Sequence, residues 1–326
     1  MKSIYTKNIN LKVSQTLLSL ELENYQKLNI QKHVISMSVC VIGDAFVDIL
    51  TPINNLIKGG VTINDRIKIC TGGTANVAIW LSRLGIKTAF VGQVGSDIFG
   101  KYFKEILKKE NVEDLTIVDI SSETGVCISL IEENERSFIV KRGANDTWNT
   151  DMLNIIDRIC QYKVIYTTAY SLVNRRNKKM LEAILSSAKG KDCEIWFNLA
   201  SHNIVKQYKE EITNFINNFA DNLVMNADEA KILTGNSVNP MGILNKHVKN
   251  IIITMGKNGC LIYSQNVDNA IHIPACKIKD VIDVTGAGDA FISGFLAGYI
   301  RGCSIEKCGQ MGNELASKVI QKIGAV

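Results

Sequence analysis

The feature that most constrains the fold of this chain is an alternation, from Val39 onward, of short apolar runs with helical patterns. The apolar runs end in turn residues, as in SVCVIGD, TAFVGQVG, KVIYTTAY, EIWFNLA, NLVMNAD, NIIITMG and GCLIYSQ. Helical periodicity lies between many of them, for example in ANVAIWLSRLG and NRRNKKMLEAILSSAKG. Such an alternation is typical of a parallel sheet covered on both faces. The sequence therefore predicts an α/β fold with a doubly wound, mostly parallel central sheet and helices on both faces.

Polar residues follow several of these strands, in GDAFVD, FNLA, NADE and MGKNG. Ligands of doubly wound sheets bind beyond the carboxyl ends of the strands. We therefore expect a binding site at that edge of the sheet.

Two segments break the alternation, residues 46–70 and 123–141, which are strand-like without helices. The second segment alternates apolar and polar residues on either side of EENE, which indicates a hairpin. We expect these segments to form a small antiparallel β lid on the main domain. Its exposed face is a candidate surface for a homodimer.

Composition narrows the class of protein. The net charge is only +5, and the lysines are scattered without a basic block, so a nucleic-acid partner is not expected. No apolar stretch approaches the roughly 18 residues of a membrane span, so no membrane partner is expected. The nine cysteines lie apart without a C-x-x-C pair, which favours reduced thiols in a cytoplasmic protein. The four isolated histidines argue against zinc.

The stretch DVTGAGDAFISG, residues 283–294, carries the clearest chemical signal. Gly286 and Gly288 permit close approach of a ligand to the backbone, and the amides that begin the following helix form an anion site. Asp289 would repel a bound phosphate, but it suits the removal of a proton from a hydroxyl that attacks a phosphoryl group. The alternative is that Asp289 only stabilises the helix N-terminus.

This stretch closely resembles the C-terminal motif of the ribokinase-like, PfkB-type carbohydrate and nucleoside kinases. The resemblance implies that Asp289 is the catalytic base and that the amides of Gly286, Ala287, Gly288 and Asp289 form the anion hole. The stretch GGTANVAIWLSRLG is similar to the N-terminal motif of the same family, which implies that Gly72, Gly73, Thr74 and Asn76 approach the phosphoryl acceptor. The resemblance covers roughly residues 38–326, predicted as one ribokinase-like kinase domain after an N-terminal extension, residues 1–37.

Further acceptor residues follow from the same resemblance. It implies that Asp48 binds hydroxyl groups of the substrate, for which an acceptor-only carboxylate is suited. Asp44 is the rival candidate for that role. Asn145, in KRGANDTW, would lie near the acceptor. Arg136 could reach an acidic group of the substrate or could equally be a solvated hairpin residue.

The resemblance also implies a nucleotide side. The candidate ATP-binding residues are Asn198, Asn226, Glu229, Thr254, Gly256, Gly259 and Asn313. Glu229 would help to position Mg²⁺, through water, since magnesium binds by few carboxylates together with phosphates. Glu229 could instead serve only as an acid at a helix N-terminus. Asp283 and Thr285 could frame a site for a monovalent cation such as potassium.

The function that these residues predict is ATP-dependent phosphoryl transfer to a hydroxyl group of a sugar or sugar derivative. A nucleoside is the alternative acceptor, for which Phe46 and Phe138 of the lid could supply a stacking surface. A sugar or nucleotide sensor without catalysis is the remaining alternative, since a fold does not fix a function.

Overall fold

The structure of the chain is a computed structural model. It describes residues 38–53, 56–64, 66–132, 135–235, 248–265 and 269–326, except for the side chains of residues 135 and 136. The predicted N-terminal extension, residues 1–37, lies outside the described residues. Within the described ranges, no helix has the length and apolar character that a membrane crossing requires.

The strands fall into one large sheet, a smaller sheet and one isolated pair. They are β1 (Val39–Ile42), β2 (Ala45–Ile53), β3 (Lys68–Gly73), β4 (Thr88–Val91), β5 (Gln93–Gly95), β6 (Glu113–Asp114), β7 (Ile117–Asp119), β8 (Gly125–Glu132), β9 (Glu135–Lys141), β10 (Val164–Thr168), β11 (Glu194–Asn198), β12 (Asn222–Asn226), β13 (Asn250–Thr254), β14 (Cys260–Ser264) and β15 (Ile271–Ile273).

The helices are α1 (Ala75–Arg83), α2 (Ile98–Lys109), α3 (Ile156–Ile159), α4 (Arg175–Lys189), α5 (His202–Gln207), α6 (Lys209–Phe219), α7 (Ala227–Thr234), α8 (Ala287–Ile300) and α9 (Ile305–Val319). Short 3-10 turns lie at Gly143–Asp146, Thr150–Ile155, Ala169–Leu172 and Gly256–Asn258.

The large sheet is nine-stranded in the described part of the chain, in the order β15-β14-β13-β12-β11-β10-β1-β4-β6. From β6 to β13 all neighbours are parallel, and β14 and β15 are added antiparallel at one edge. This arrangement confirms the mostly parallel central sheet. Its interior strands are largely apolar, because both faces are covered; β1, for example, is buried along its whole length.

Neighbouring residues of β11 show how helices cover both faces. Successive side chains of a strand point to opposite faces. The ring of Trp196 packs against Phe295 and Tyr299 of α8 on one face, with centroid distances of 5.7 and 5.0 Å. The ring of Phe197 packs against Phe215 of α6 on the other face, at 4.5 Å.

The strand order reverses direction at β1. The chain proceeds from β1 to β4 and β6 on one side, and then from β10 to β13 on the other side. The loops that follow β1 and β10 therefore diverge at their carboxyl ends and leave a crevice there. This crevice is where the fold positions a ligand.

The lid is a four-stranded sheet in the order β3-β2-β8-β9. Its outer pairs, β2 with β3 and β8 with β9, are antiparallel as expected, and the hairpin predicted over 123–141 is confirmed. Its central pair, β2 with β8, is parallel, which the sequence did not indicate. Both of these strands run outward from the main domain, and the returning strands β3 and β9 lie outside them. The lid is thus built from two separate excursions of the chain.

Candidate active site

A cavity of about 450 Å³ lies between the crevice of the large sheet and the inner face of the lid. It is lined by Asp44, Phe46, Asp48, Gly73, Thr74, Asn76, Cys127, Phe138, Val140, Arg142, Thr168, Tyr170, Asn198, Ala200, Thr285, Gly286 and Asp289. Residues from both predicted motifs and from the lid therefore meet in one place, as parallel strands with a common carboxyl edge require.

Asp289 lies in the first turn of α8, with its carboxylate at the cavity. Its Oδ2 accepts a hydrogen bond of 3.1 Å from Nδ2 of Asn76, a buried residue of α1 that is 213 positions away in the chain. Burial raises the pKa of Asp289 to about 6, although the bond from Asn76 lowers it. The Oδ1 atom of Asn76 is buried without a hydrogen-bond partner among the described residues. The pair therefore presents two acceptors to a ligand hydroxyl.

The helix that carries Asp289 begins in the way an anion site requires. Gly286 precedes it at a φ of 72°, in the left-handed region, and no side chain among the described residues caps the first turn. The Ala287 amide donates to the carbonyl of Val284 at 3.2 Å. A Cβ atom at Gly288 would meet nothing within 4 Å, so the backbone there is open. The Ala290 amide donates to the carbonyl of Gly286 at 2.8 Å, so the amides of Gly288 and Asp289 are the ones free to bind an external anion.

The loop before α8 is held by Asp283. Its Oδ1 accepts from the amide of Thr285 at 2.6 Å, and its Oδ2 accepts from the amide of Gly324 at 2.9 Å. Ala325 then packs against Gly286, where an added Cβ would lie 2.4 Å from the Ala325 Cβ. The Ala325 carbonyl accepts from Nε1 of Trp80 at 2.7 Å. Both residues predicted to frame a cation site thus belong to the loop that shapes the helix start.

Asp48 projects from β2 into the cavity. Its register partners on either side are Cys70 of β3 and Cys127 of β8. Gly72 leaves room for its carboxylate, since a Cβ there would lie 2.1 Å from Oδ1 of Asp48. Burial, followed by the charge of Asp289, raises the pKa of Asp48 to about 7. Of the two candidate carboxylates near this strand, Asp48 is the one that faces the cavity without a cationic partner in the described part.

Asp44 is engaged by Arg142. Nη1 of Arg142 donates to Oδ2 of Asp44 at 2.9 Å, and Nη2 donates to Oδ1 at 3.2 Å. Nε of Arg142 donates to Oδ1 of Asp146 at 2.6 Å. Burial lowers the pKa of Arg142, but the charges of Asp44 and Asp146 outweigh it and raise that pKa above its usual value. Burial also raises the pKa of Asp44, and the bidentate guanidinium opposes this and keeps the pair ionic.

Residues beside the start of β2 fix the backbone on which Asp44 and Asp48 lie. Gly73, at a φ of 68°, would place a Cβ 2.5 Å from the Asp44 carbonyl, and the Thr74 amide donates to that carbonyl at 3.1 Å. Asn145 does not line the cavity. Its side chain is fully buried and bonds to both the amide and the carbonyl of Ala45, at 2.7 and 2.9 Å. Arg136 lies in β9, and its side chain is outside the description.

The predicted nucleotide residues follow the strand ends away from the lid. Asn198 ends β11 and lines the cavity, where its Nδ2 donates to the Tyr166 hydroxyl at 2.8 Å. Asn226 and Glu229 form a capping box at the start of α7, with both Glu229 oxygens accepting from Asn226. Burial raises the pKa of Glu229 to about 7. The capping role considered for Glu229 is therefore present in the structure, and Glu229 does not line the cavity.

Thr254 is the register partner of Asn226 on the next strand. The turn after it contains Gly256 and Gly259, both with positive φ, and a Cβ at Gly259 would lie 2.0 Å from the Ile273 carbonyl. Asn313 of α9 donates to the carbonyls of Ile273 and Pro274 at 3.3 and 3.0 Å. These residues do not line the cavity.

The donor set suits a hydrated magnesium ion bound with phosphates rather than a protein cage. No group of three or more histidine, cysteine, aspartate or glutamate side chains that could hold a metal occurs in the described residues. Magnesium needs only one or two carboxylates when phosphate oxygens and waters complete its shell. The uncapped start of α8 can hold the phosphate charge.

The sequence pattern did not indicate Arg142, although this residue lies three positions before Asn145 in KRGANDTW. A single basic residue before a glycine is too common a pattern to indicate a buried ion pair. The sequence pattern did not indicate Thr168 or Tyr166 either. The Oγ1 atom of Thr168 is buried at the cavity without a partner among the described residues. A strand-end pattern marks such positions as near the site but does not identify the contact.

Three comparisons with known proteins agree with one another. A family model described as pfkB family carbohydrate kinase matches residues 36–326. An uncharacterized sugar kinase of Archaeoglobus fulgidus is 30% identical over 75% of this chain and 96% of its own length. The ribokinase of Mus musculus is 28% identical, over 88% of this chain and 90% of its own. The crystal structure of a probable sugar kinase from Rhizobium etli CFN 42 matches with a TM-score of 0.79 and 27% identity, over 89% and 94% of the two chains.

The buried ion pair of Arg142 generates a stability prediction. We expect Arg142→Ala to lower the free energy of unfolding by about 3–5 kcal/mol, because it leaves Asp44 charged and buried without a partner. The matched control is Arg158→Ala, since Arg158 pairs with Glu113 at 2.7 Å with side chains 54% and 38% exposed. That change is expected to cost about 0–1 kcal/mol. Urea unfolding at pH 7 measures both, and equal losses would contradict the prediction.

Proposed function

The chain belongs to the pfkB family of carbohydrate kinases, and we propose that it transfers the γ-phosphoryl group of ATP to a hydroxyl group of a sugar or sugar derivative. The position of Asp289 is the main support. Its carboxylate is held by Asn76 at the uncapped start of α8, in a cavity that Asp48 shares. A base and an anion-binding helix start at one point are the two groups that phosphoryl transfer requires.

Asp289 would act as the general base. Its carboxylate takes the proton from the acceptor hydroxyl as the hydroxyl oxygen forms its bond to the γ-phosphorus. The bond between that phosphorus and the bridging oxygen breaks, and ADP leaves with the electron pair. The amides of Gly286, Ala287, Gly288 and Asp289 are proposed to hold the charge on the phosphoryl oxygens. The amides of Gly288 and Asp289 support this best, because those of Ala287 and Ala290 already donate to the carbonyls of Val284 and Gly286.

The acceptor would bind on the side of the cavity that is formed by the lid and by Asn76. We assign the acceptor hydroxyls to Asp48, which lines the cavity, and to Oδ1 of Asn76, which is buried without a hydrogen-bond partner in the described part. Gly72, Gly73 and Thr74 would admit the acceptor by keeping the backbone close. Asn145 would act through its two bonds to Ala45, and Arg136 remains a proposed contact from the lid. The lid would exclude water during transfer.

The nucleotide would lie along the edge formed by the ends of β11, β12 and β13. The residues proposed to contact it are Asn198, Asn226, Glu229, Thr254, Gly256, Gly259 and Asn313. Magnesium, when bound, supplies neutralisation of the phosphate charge, and Glu229 would hold it through water. Asp283 and Thr285 are the proposed frame of a monovalent-cation site.

A nucleoside is the second candidate acceptor, and one observation favours it. Phe46 and Phe138 both line the cavity, and Phe138 is 57% exposed. An aromatic ring at a polar cavity can stack on a planar base. A protein that only senses its ligand would need neither Asp289 nor the uncapped helix start.

We further propose that the protein is cytoplasmic and that the lid mediates a homodimer. Four isoleucines lie in register across the outer face of the lid: Ile69, Ile49, Ile128 and Ile139. Ile69 is 49% exposed and Ile139 is 60% exposed. A contiguous apolar row on a sheet face is suited to a self-complementary contact.

Replacement of the base tests the proposed reaction. We expect Asp289→Asn to lower kcat by on the order of 10²–10⁴, because the amide cannot take the acceptor proton, while acceptor binding persists. The matched control is Glu306→Gln, since Glu306 is an acid in the first turn of α9, away from the cavity. Acceptor-dependent ADP release gives kcat, and calorimetry gives the acceptor Kd. Substantial turnover in Asp289→Asn would show that Asp289 only stabilises the helix.

The raised pKa values predict an acid limb in the pH profile. Asp289 must be ionised to act as a base, so kcat/KM for the acceptor should fall as the pH drops through about 6. Asp48 binds hydroxyls as a carboxylate, so its protonation should raise KM as the pH drops through about 7. Steady-state assays from pH 5 to 9 check both effects. A profile that is flat down to pH 5 would contradict them.

The dimer proposal has a direct test. We expect the wild type to have the mass of a dimer in light scattering, and Ile139→Lys to have that of a monomer, because a charge in the apolar row is desolvated in the contact. Ile98→Lys is the control, since Ile98 is 76% exposed on α2. A monomeric wild type would rule out the proposal.

A further inference from the structure

We propose that this site selects uncharged acceptors and discriminates against sugar phosphates and sugar acids, because the one cationic side chain in the described lining of its cavity is already neutralised. This inference rests on the proposed function and specifies the class of its acceptor. The glycine motifs do not specify the charge of the acceptor, which depends on the ionisable groups of the cavity that receives it.

The described cavity lining contains more acidic than basic side chains. Asp44, Asp48 and Asp289 are carboxylates, and Arg142 is the one cation. Asp289 is close enough to Asp48 for its charge to raise the pKa of Asp48. An acceptor that carried a phosphate or carboxylate would therefore add negative charge to a site that already has an excess of it.

Arg142 is not available as a counter-ion for such an acceptor. Two of its nitrogens bond to Asp44 and the third bonds to Asp146, at distances of 2.6–3.2 Å. Asp44 is only 3% exposed, so turning the guanidinium toward a bound anion would leave this carboxylate buried and unpaired. The guanidinium has N–H groups beyond the three used here, and these can still donate to a neutral hydroxyl.

Two lysines of the lid strands, Lys68 and Lys141, are engaged elsewhere. Nζ of Lys68 donates to the carbonyls of Ile323 and Val326, at 3.3 and 3.4 Å, and does not line the cavity. Lys141 pairs with Glu123. Around Asp48 itself the register partners are the thiol side chains of Cys70 and Cys127. Thus no described side chain of the cavity lining offers an unpaired positive charge to a ligand beside Asp48.

Neutral hydroxyl groups fit the same surroundings. A hydroxyl donates one hydrogen bond and accepts others, so it can donate to Asp48 or Asn76 Oδ1 and accept from the spare donors of Arg142. An anionic group offers no proton to these acceptors. The arrangement therefore discriminates by leaving the wrong ligand unpaired, which is an effective source of specificity.

The first test uses acceptors that share a skeleton and differ in charge. Fructose is compared with fructose 1-phosphate and fructose 6-phosphate, and glucose with gluconate, by ADP release with wild-type enzyme. Ribose and adenosine extend the neutral set. We expect every productive acceptor to be uncharged, with kcat/KM for the charged analogue lower by on the order of 100-fold or more.

The second test removes the charge of the carboxylate that pairs with Arg142. Asp44→Asn removes the buried negative partner, so the guanidinium gains net charge toward the cavity. We expect the ratio of kcat/KM between the best neutral acceptor and its charged analogue to fall by about tenfold. Asp146→Asn is the control, since Asp146 does not line the cavity and its loss leaves the bidentate pair with Asp44 intact. Its ratio should equal that of the wild type.

The outcomes separate this inference from the proposed function. Wild-type turnover of a charged acceptor as fast as that of its neutral analogue would overturn the inference alone. If that turnover disappears in Arg136→Gln, the counter-cation is Arg136. Absence of acceptor-dependent ADP release with all the compounds would overturn the proposed function and this inference with it. If Asp44→Asn does not fold, the wild-type comparison still decides.

Discussion

The hydrogen bonding of β1 to β4 on one side and to β10 on the other is the constraint on which the rest of the structure depends. It places the reversal of strand order at β1, so that the chain leaves the sheet in two directions at one edge. Asp44 follows β1, Thr168 ends β10 and Asn198 ends β11, and all three line the cavity. The helix start that bears Asp289 is then brought to the same edge by the packing of α8 against β11.

The lid completes this edge at a cost in electrostatic energy. β2 and β8 run outward side by side, and their pairing carries Asp48 over the cavity toward Asp289. Burial raises the pKa values of both carboxyl groups, to about 7 and about 6. Since a raised carboxyl pKa means that the folded state binds the proton more tightly, stability is lost as the pH rises through these values. Ionisation of the two carboxyl groups, which the proposed reaction needs, therefore costs the folded state free energy.

Much of this architecture was predictable from the sequence. The helices at ANVAIWLSRLG and NRRNKKMLEAILSSAKG and the apolar strands between them are where periodicity placed them, because each depends on the burial of one face. Asp289, Asn76 and Asp48 meet as expected. Two other expectations changed in detail. Asn145 holds the backbone of Ala45 rather than lining the cavity, and Glu229 caps α7. A side-chain amide or carboxylate bonds to backbone or to ligand by the same chemistry, so its partner cannot be read from its position in a motif.

The sequence by itself determined the secondary structure, the fold class and the residues of the two glycine motifs, because these depend on short-range periodicity and on glycines whose conformation few other residues can adopt. Only the tertiary structure decided which charges are paired. Arg142 and Asp44 are 98 positions apart, and they meet because the lid strands return to the carboxyl edge beside β1. No local pattern records such a contact. The excess negative charge of the cavity follows from that long-range geometry. The kind of acceptor that the cavity suits follows from it as well.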